Sequence, residues 1–376
     1  MFRIDLLPAE YGDAIWLEYG QRQRINRLLI DCGTAAVYPR IRERILALPE
    51  GQRHFELLLV THVDLDHIGG ALPLLRESAS LGASFGEIWF NGYMHLSPGG
   101  VVPAAGDDTL GPLQGEELSD LIVANGRQRW NALVRGGALL VPDTGPLPQL
   151  SLPGGMRLTV LSPRQEQLDA LRPVWDAACR KAGLVPGVAA ADDGSRLEEA
   201  DAEQEGDDLL GDPDPEQLAA RPYKADRARP NGSSIALLAE YGGRRALLTG
   251  DAFAEVLLAS LARLAGNAGG RFAVDACKLS HHGSRGNTSS ELVRALQCRN
   301  WLVSSNGKQF RHPDAEAIAR VLRDGGGDIR LHFNYRSEFN EMWSSTALQR
   351  RYRYAASYPD GAAAGVQLDL SRRTRR

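Results

Sequence analysis

The sequence predicts an α/β fold, a four-layer αββα sandwich built as a single domain over residues 1–376. Two sets of strand-length apolar runs follow one another along the chain, and helix-length segments accompany each set. A sheet that packs one face on a second sheet needs a helical layer over its other face, so two such halves stack as helix, sheet, sheet, helix. The length could also hold about two or three average domains, but one large layered domain with insertions suits it equally well.

In the first half, strands are expected at Phe2–Leu7, Ala14–Tyr19, Arg27–Asp31, Glu56–Thr61 and Glu87–Asn91, with helices at Pro39–Leu48 and Leu72–Ala79. The fourth of these continues the apolar run Phe55 to Val60, which reads as a buried strand. In the second half, strands are expected at Arg157–Leu161, Ser234–Glu240, Arg245–Thr249, Val274–Leu279, Trp301–Ser304 and Asp328–Phe333. Helices there are expected at Glu255–Ala265, Ser290–Gln297 and Ala315–Asp324. Between the halves, residues 189–228 read as a mobile acidic insertion: Asp192, Asp193, Glu198, Glu199 and Asp201 through Asp208 leave hardly an apolar anchor. A solvated loop is the bland reading, and a lid or a segment contacting a protein partner the sharper one. Residues 336–376 read as a basic aromatic C-terminal extension, with Arg350-Arg351-Tyr352-Arg353-Tyr354 and a run of arginines ending at Arg376. Such interleaving can grip phosphates and stack bases, although an edge strand with a frayed end explains it as well.

Composition excludes several classes. A hydrophobic fraction of 43% is ample for a core, and a net charge of −4 gives no global basic field, so any nucleic-acid surface must be local. Cys32, Cys179, Cys277 and Cys298 lack paired spacing, which favours buried inert thiols over disulfides or a zinc ribbon. The start has no signal-peptide pattern and no apolar run approaches the roughly 20 residues of a membrane span. A cytoplasmic protein without a membrane partner is expected.

The chemistry is concentrated at Thr61-His62-Val63-Asp64-Leu65-Asp66-His67-Ile68-Gly69-Gly70. This stretch joins a strand to a helix, so four metal-capable side chains share one loop that can turn them toward a point. Two imidazoles and two carboxylates suit divalent ions such as Zn²⁺ or Mn²⁺. Downstream, Leu247-Leu248-Thr249-Gly250-Asp251, Lys278-Leu279-Ser280-His281-His282-Gly283-Ser284 and Arg311-His312-Pro313 add further ligand types at strand ends.

These blocks resemble the metallo-β-lactamase fold, whose usual motif is His-x-His-x-Asp-His. Asp64 here replaces the second histidine. The His-x-Asp-x-Asp-His form resembles the hydrolase domain of ComEC-type DNA-internalization competence proteins, as do Gly12-Asp13-Ala14-Ile15, Asn231-Gly232-Ser233-Ser234-Ile235 and Ser304-Ser305-Asn306. The resemblance implies that His62 and Asp64 hold one metal, that Asp66 and His67 hold the second, and that Asp251 bridges them. The last ligand comes from His281 or His282; relatives that read His-x-Gly/Ser favour His281, and those that read Gly-His-Gly favour His282. The first site lacks a histidine that many members carry midway. His95, the only histidine in that interval, is a candidate ligand or substrate contact, and otherwise this site is weak or completed by solvent. Asp64 hardens the site toward Mn²⁺ or Mg²⁺. Lys278, Asn231, Ser233, Ser284 and His312 match positions that recur around the family's site. His312 could protonate a leaving oxygen, and a helix-start turn explains it equally. Asp66 could orient water. Asp13 and Asp31 read as loop braces, and His54 and His332 as structural.

The expected function is a hydrolase with two divalent ions, in which metal-activated hydroxide attacks a phosphodiester, with DNA as substrate. The alternatives are a small phosphodiester of phosphocholine or cyclic-nucleotide type, and a partner-activated subunit of a nucleic-acid or defence complex.

Overall fold

In the computed structural model, residues 1–21, 23–96, 111–188, 214–266, 270–360 and 364–371 are described. The strands are β1 (Phe2–Leu6), β2 (Ile15–Gln21), β3 (Arg24–Ile30), β4 (His54–Leu59), β5 (Ser84–Trp89), β6 (Gln149–Ser151) and β7 (Arg157–Ser162). They continue as β8 (Ala236–Tyr241), β9 (Arg244–Leu248), β10 (Phe272–Lys278), β11 (Leu296–Val303), β12 (Ile329–Phe333), β13 (Tyr354–Ser357) and β14 (Val366–Asp369). They form two sheets, ordered β14-β1-β2-β3-β4-β5 and β13-β12-β11-β10-β9-β8-β7-β6. Both sheets are mixed. In the first, β3, β4 and β5 run parallel. In the second, β9 through β13 do.

Strand alternation sets the layers. Along β2, Leu17 and Tyr19 face the second sheet and Trp16 faces the opposite way; along β3, Leu28 and Ile30 face inward and Leu29 outward. The inward set meets Leu158, Ala239, Ala246 and Ala276, which share one face of the second sheet by their register, in one apolar cluster. Helices Tyr38–Leu46, Ala71–Glu77, Gly111–Ala124 and Gln165–Lys181 cover the first sheet with Ile41, Leu74, Leu118 and Trp175. Helices Ala254–Ala265, Ser290–Ala295 and Ala315–Asp324 cover the second with Leu257, Val293 and Ile318. The four-layer αββα arrangement is therefore present.

Three differences from the sequence reading stand out. Helices Gly111–Ala124 and Gln165–Lys181 were not expected, because Gly111, Pro112, Gly115 and Pro173 break the helical pattern. Residues 189–213 of the acidic insertion lie outside the described residues, but Pro215–Ala220 is a helix packed on Ala315–Asp324, capped by the Asp214 side chain. The segment from 336 is woven into the sandwich rather than appended to it: β13 adds to β12 in parallel and β14 pairs with β1. Among the described residues no helix is long and apolar enough to cross a membrane. All four cysteines are buried and free.

Candidate metal centre

The C-terminal ends of β3, β4, β9, β10 and β11 converge between the sheets. After β3, the Asp31 carboxylate accepts the Thr61 backbone N–H at 2.7 Å and the Thr61 hydroxyl at 2.8 Å, and Oδ2 also meets His67 Nδ1 at 2.8 Å. That bracket turns His67 so that Nε2 points inward. The loop from β1 to β2 closes over the turn: Asp13 N–H donates to the Asp66 carbonyl at 3.1 Å. Gly12 has to be glycine there, since a Cβ would lie 1.8 Å from the Asp66 oxygen.

Asp251 follows β9, and its backbone is fixed from both sides. Its N–H donates to Ser234 Oγ at 3.0 Å, and Asn287 Nδ2 donates to its carbonyl at 3.1 Å. Four imidazoles surround its Oδ2: His67 Nε2 at 3.3 Å, His282 Nε2 at 3.6 Å, His62 Nε2 at 3.8 Å and His281 Nε2 at 3.9 Å. His281 and His282 can both reach it because they adopt left-handed backbone, φ 48° and 56°, an unfavourable conformation for non-glycine residues that points to a functional demand. On the far side of each ring a polar partner holds Nδ1. Thr61 Oγ1 lies 3.0 Å from that of His62. The Ser304 carbonyl at 3.0 Å and Asp13 at 3.3 Å serve His282. Asn287 Oδ1 at 3.1 Å and Asp226 Oδ2 at 3.5 Å serve His281.

Around Asp251 the groups form two halves. The inner half is Asp66, His67 and His282, with His282 Nε2 3.1 Å from Asp66 Oδ2 and 3.3 Å from His67 Nε2. The outer half is His62, Asp64 and His281. His62 Nε2 lies 3.3 Å from Asp64 Oδ2, and the Asp64 and His281 side chains are 33% and 23% exposed. Burial alone would push His67, His281 and His282 down, but Asp251 and neighbouring carboxylates outweigh it, raising His67 and His282 and bringing His281 to about 9. Burial would raise Asp251 and Asp66, but the imidazoles hold both below the usual carboxylate range. The raised His67, His281 and His282 and the lowered Asp251 and Asp66 stabilise one another's charged forms.

This donor set fits divalent cations. His62 Nε2 and Asp251 Oδ1 are buried with no hydrogen-bond partner, and two Nε2 atoms face each other across the inner half. Cations would satisfy these lone pairs and release the protons. Asp13, His67, Asp251 and His282 can bring one ligand atom each within 4.8 Å of one another. Asp13, however, is ion-paired with Lys278 and faces the outer nitrogen of His282, so it acts as a brace rather than a ligand.

All seven ligands expected from the sequence, His62, Asp64, Asp66, His67, Asp251, His281 and His282, meet here. The other assignments need correction. Lys278 is fully buried and pairs with Asp13 beneath Asp251, where no substrate reaches it; burial would lower it, but Asp13 and Asp251 raise it. Asn231 donates to Asp226 at 2.8 Å beside His281, which makes it a positioning group. Ser233 donates to the Pro230 carbonyl at 2.6 Å, and Ser284 Oγ accepts from the Gly286 N–H at 3.1 Å, so each holds its own turn. His95 packs on Trp130, accepts from the Gly92 N–H at 3.1 Å and lies 3.3 Å from Asn131 Nδ2, so it is not turned to the cluster. His312 does stand beside His281, ring centroids 5.1 Å apart. Burial first and then the charges of His281 and His282 hold it well below the usual imidazole range, so it is not a proton store at neutral pH. Sequence reasoning missed Asp226 and Asn287, which carry no motif of their own, and gave no role to Ser234 although it lies in the Asn231–Ile235 block.

Residues 25–123 match the metallo-beta-lactamase superfamily. The chain carries a metallo-β-lactamase superfamily domain. Its sequence is also similar to ComE operon protein 3 of Bacillus subtilis (strain 168), 31% identical over 124 residues. That alignment covers 31% of this chain and 15% of the relative, so the chain spans a small part of that protein's length. Solved structures similar to it include CmlA, a diiron β-hydroxylase from Streptomyces venezuelae, at 13% identity and a TM-score of 0.39, covering 98% of this chain and 54% of that one. A Cronobacter sakazakii metallo-β-lactamase with the HARLDQ motif matches at 19% identity and a TM-score of 0.20, over 42% of this chain and 50% of that one. The family match covers the His62–His67 run, and Asp13, His67, Asp251 and His282 form a buried group that could hold a metal ion.

Proposed function

We propose that this protein is a metal-dependent hydrolase, a phosphodiesterase acting on DNA. The observation that carries the reading is the carboxylate-rich ligand set around Asp251, with Asp64 where the superfamily's usual motif has an imidazole. That His-x-Asp-x-Asp-His form is the one that resembles ComEC-type hydrolase domains. Asp66, His67, His282 and Asp251 would hold the inner ion. His62, Asp64, His281 and Asp251 would hold the outer one, with His281 taking the place of the absent midway histidine. Divalent ions supply Lewis acidity toward a phosphoryl oxygen and acidify water near neutral pH, and hard carboxylate ligands favour Mn²⁺ or Mg²⁺.

The protein's own groups do the rest. Asp31, Asp13 and Asp226 fix the imidazoles from behind. Asp64 and His281 leave one face of the cluster open to solvent, where a diester can approach. Neutral His312, next to His281, can hydrogen-bond a substrate oxygen without adding charge.

Placement of the basic tail favours keeping a second reading. Because β13 runs parallel to β12, Arg350, Arg351 and Arg353 lie at the end of the second sheet opposite the metal centre, and Tyr354 is buried there. They do not line the cluster, which suits a small phosphodiester at the metals. The assay that separates the readings presents single- and double-stranded DNA and a chromogenic phosphodiester with Mn²⁺, Mg²⁺ or Zn²⁺, against Asp66→Ala/His67→Ala. DNA cutting that the double variant abolishes is expected. Turnover of the chromogenic ester alone would move the assignment to a small diester, and no turnover of either would leave a partner-activated subunit.

A further inference from the structure

The metal centre occupies the C-terminal ends of β9, β10 and β11. A cleft of about 1440 Å³ opens at the other end of the same sheet, where β7, β10 and β11 begin and β8 turns into β9. Ligands of parallel sheets usually sit at the carboxyl ends of the strands, so the position itself calls for an explanation. Five arginines line the cleft, Arg157, Arg244, Arg245, Arg271 and Arg299, against three carboxylates, Glu240, Asp275 and Asp328. Glu240 pairs with Arg157 and Arg245, each at 3.0 Å, and Asp275 pairs with Arg244 at 2.7 Å. Arg271 and Arg299 make no ion pair among the described residues, and Arg299 Nε is buried with no hydrogen-bond partner.

The backbone is shaped for these side chains. Gly326, φ 95°, lies under the Arg271 guanidinium, and a Cβ there would come within 2.7 Å of Nη1. Gly242, Gly243 and Gly327 line the same cleft and leave backbone uncovered. The neighbouring strand extends the charge: β12 and β13 start together, Ile329 opposite Tyr354, so exposed Arg350, Arg351 and Arg353 stand at this end as well. In a chain of net charge −4 this is a local concentration of cations.

A planar guanidinium presents paired donors that match phosphate oxygens, and a desolvated Nε without an acceptor is costly to bury. We propose that this end of the second sheet is a phosphate-binding site separate from the metal centre, in which Arg271 and Arg299 hold phosphoryl oxygens. The phosphates belong either to a nucleic-acid strand running on toward Arg353 or to a free polyphosphate.

The test measures binding of a short single-stranded oligonucleotide and of inorganic tripolyphosphate to the full chain, with and without a chelator, over a range of salt. Wild type is compared with Arg271→Gln/Arg299→Gln and with Asp66→Ala/His67→Ala. The arginine variant is expected to lose affinity by about tenfold or more. For the single-stranded oligonucleotide its logarithmic salt slope should flatten by about 1.4, about 0.7 per guanidinium removed. In the presence of chelator, where the metal centre cannot hold the diester, the metal-centre variant should bind as wild type does. Preference for the oligonucleotide or for tripolyphosphate identifies the source of the phosphate. On wild-type protein, the bound ligand should also shield Arg271 and Arg299 from phenylglyoxal, a readout that does not depend on the variants folding. Wild-type affinity in the arginine variant, or binding lost only in the metal-centre variant, overturns the proposal.

Discussion

The two halves of the metal centre share Asp251 and have similar ligand types, yet they are built differently. The inner imidazoles, His67 and His282, are fully buried, and the carboxylates behind them, Asp31 and Asp13, are buried too. In the outer half, Asp64 and His281 reach solvent, and the brace behind His281 is the less buried Asp226, itself gripped by Asn231 and Asn287 at 2.8 and 3.0 Å. On the proposed two-ion reading, burial should make an inner ion slow to exchange, and the exposed outer half is the side a substrate would approach. An ion that only the outer half holds should be lost first.

The largest effect should come from removing what both halves share. Asp251→Ala should abolish tight binding of both ions and lower diester turnover by about 10³-fold or more. Metal analysis of the purified variant together with a turnover assay checks it, and one retained equivalent would show that the bridge is not shared. Next comes the support beneath the inner half. Lys278→Met strands the Asp13 carboxylate in a fully buried site, which should cost about 3–5 kcal/mol of stability. Urea unfolding measures it. A loss below about 1 kcal/mol would mean that Asp13 finds another partner, because exposed pairs rather than buried ones are worth that little.

A smaller change separates the halves. Asp226→Asn should weaken only the outer ion, by about 10–100-fold, and leave one equivalent tightly bound; Asp31→Asn should do the same to the inner ion. Competition with a metal-sensing dye reads both constants. Equal loss of both ions in Asp226→Asn would show that the halves are coupled. Asp226 is held well deprotonated, at about 2, by His281 despite burial that opposes it, so a neutral amide there changes charge as well as geometry.

The asymmetry also decides what could be read in advance. The inner and outer ligands were legible because they sit in compact runs, His62 to His67 and His281-His282, at the ends of apolar strands. Their braces were not, because Asp226 and Asn287 lie on irregular segments and act only through a fold that brings them behind His281. Lys278 was misread for a related reason: a cation next to a motif suggests substrate, and only the burial of β10 shows that it points at Asp13. The positions of most strands were visible in the apolar runs. Helices Gly111–Ala124 and Gln165–Lys181 stayed hidden because glycine and proline within them mask the period, and tertiary packing around Trp175 overrides local propensity.

The smallest effect at the site is expected from His95, the residue that would have had to fill the outer half had His281 not faced Asp251. His95→Gln should leave metal content unchanged and turnover within about twofold, since surface-independent structural positions act through stability. Its signature is acid sensitivity. Burial holds the His95 imidazole down at about 4, against backbone contacts that raise it. Because the folded value lies below that of the unfolded chain, the folded form disfavours the proton. The associated stability is complete above about pH 6.5 and is lost as pH falls toward about 4. Between about pH 7 and about pH 5 the wild type should lose roughly 2 kcal/mol from this residue, at about 1.4 kcal/mol per unit of separation. In His95→Gln that share of the slope should vanish, while the variant starts less stable at neutral pH. Parallel denaturation profiles for the two proteins would show that His95 titrates normally, and would reopen it as a group turned toward the ligands.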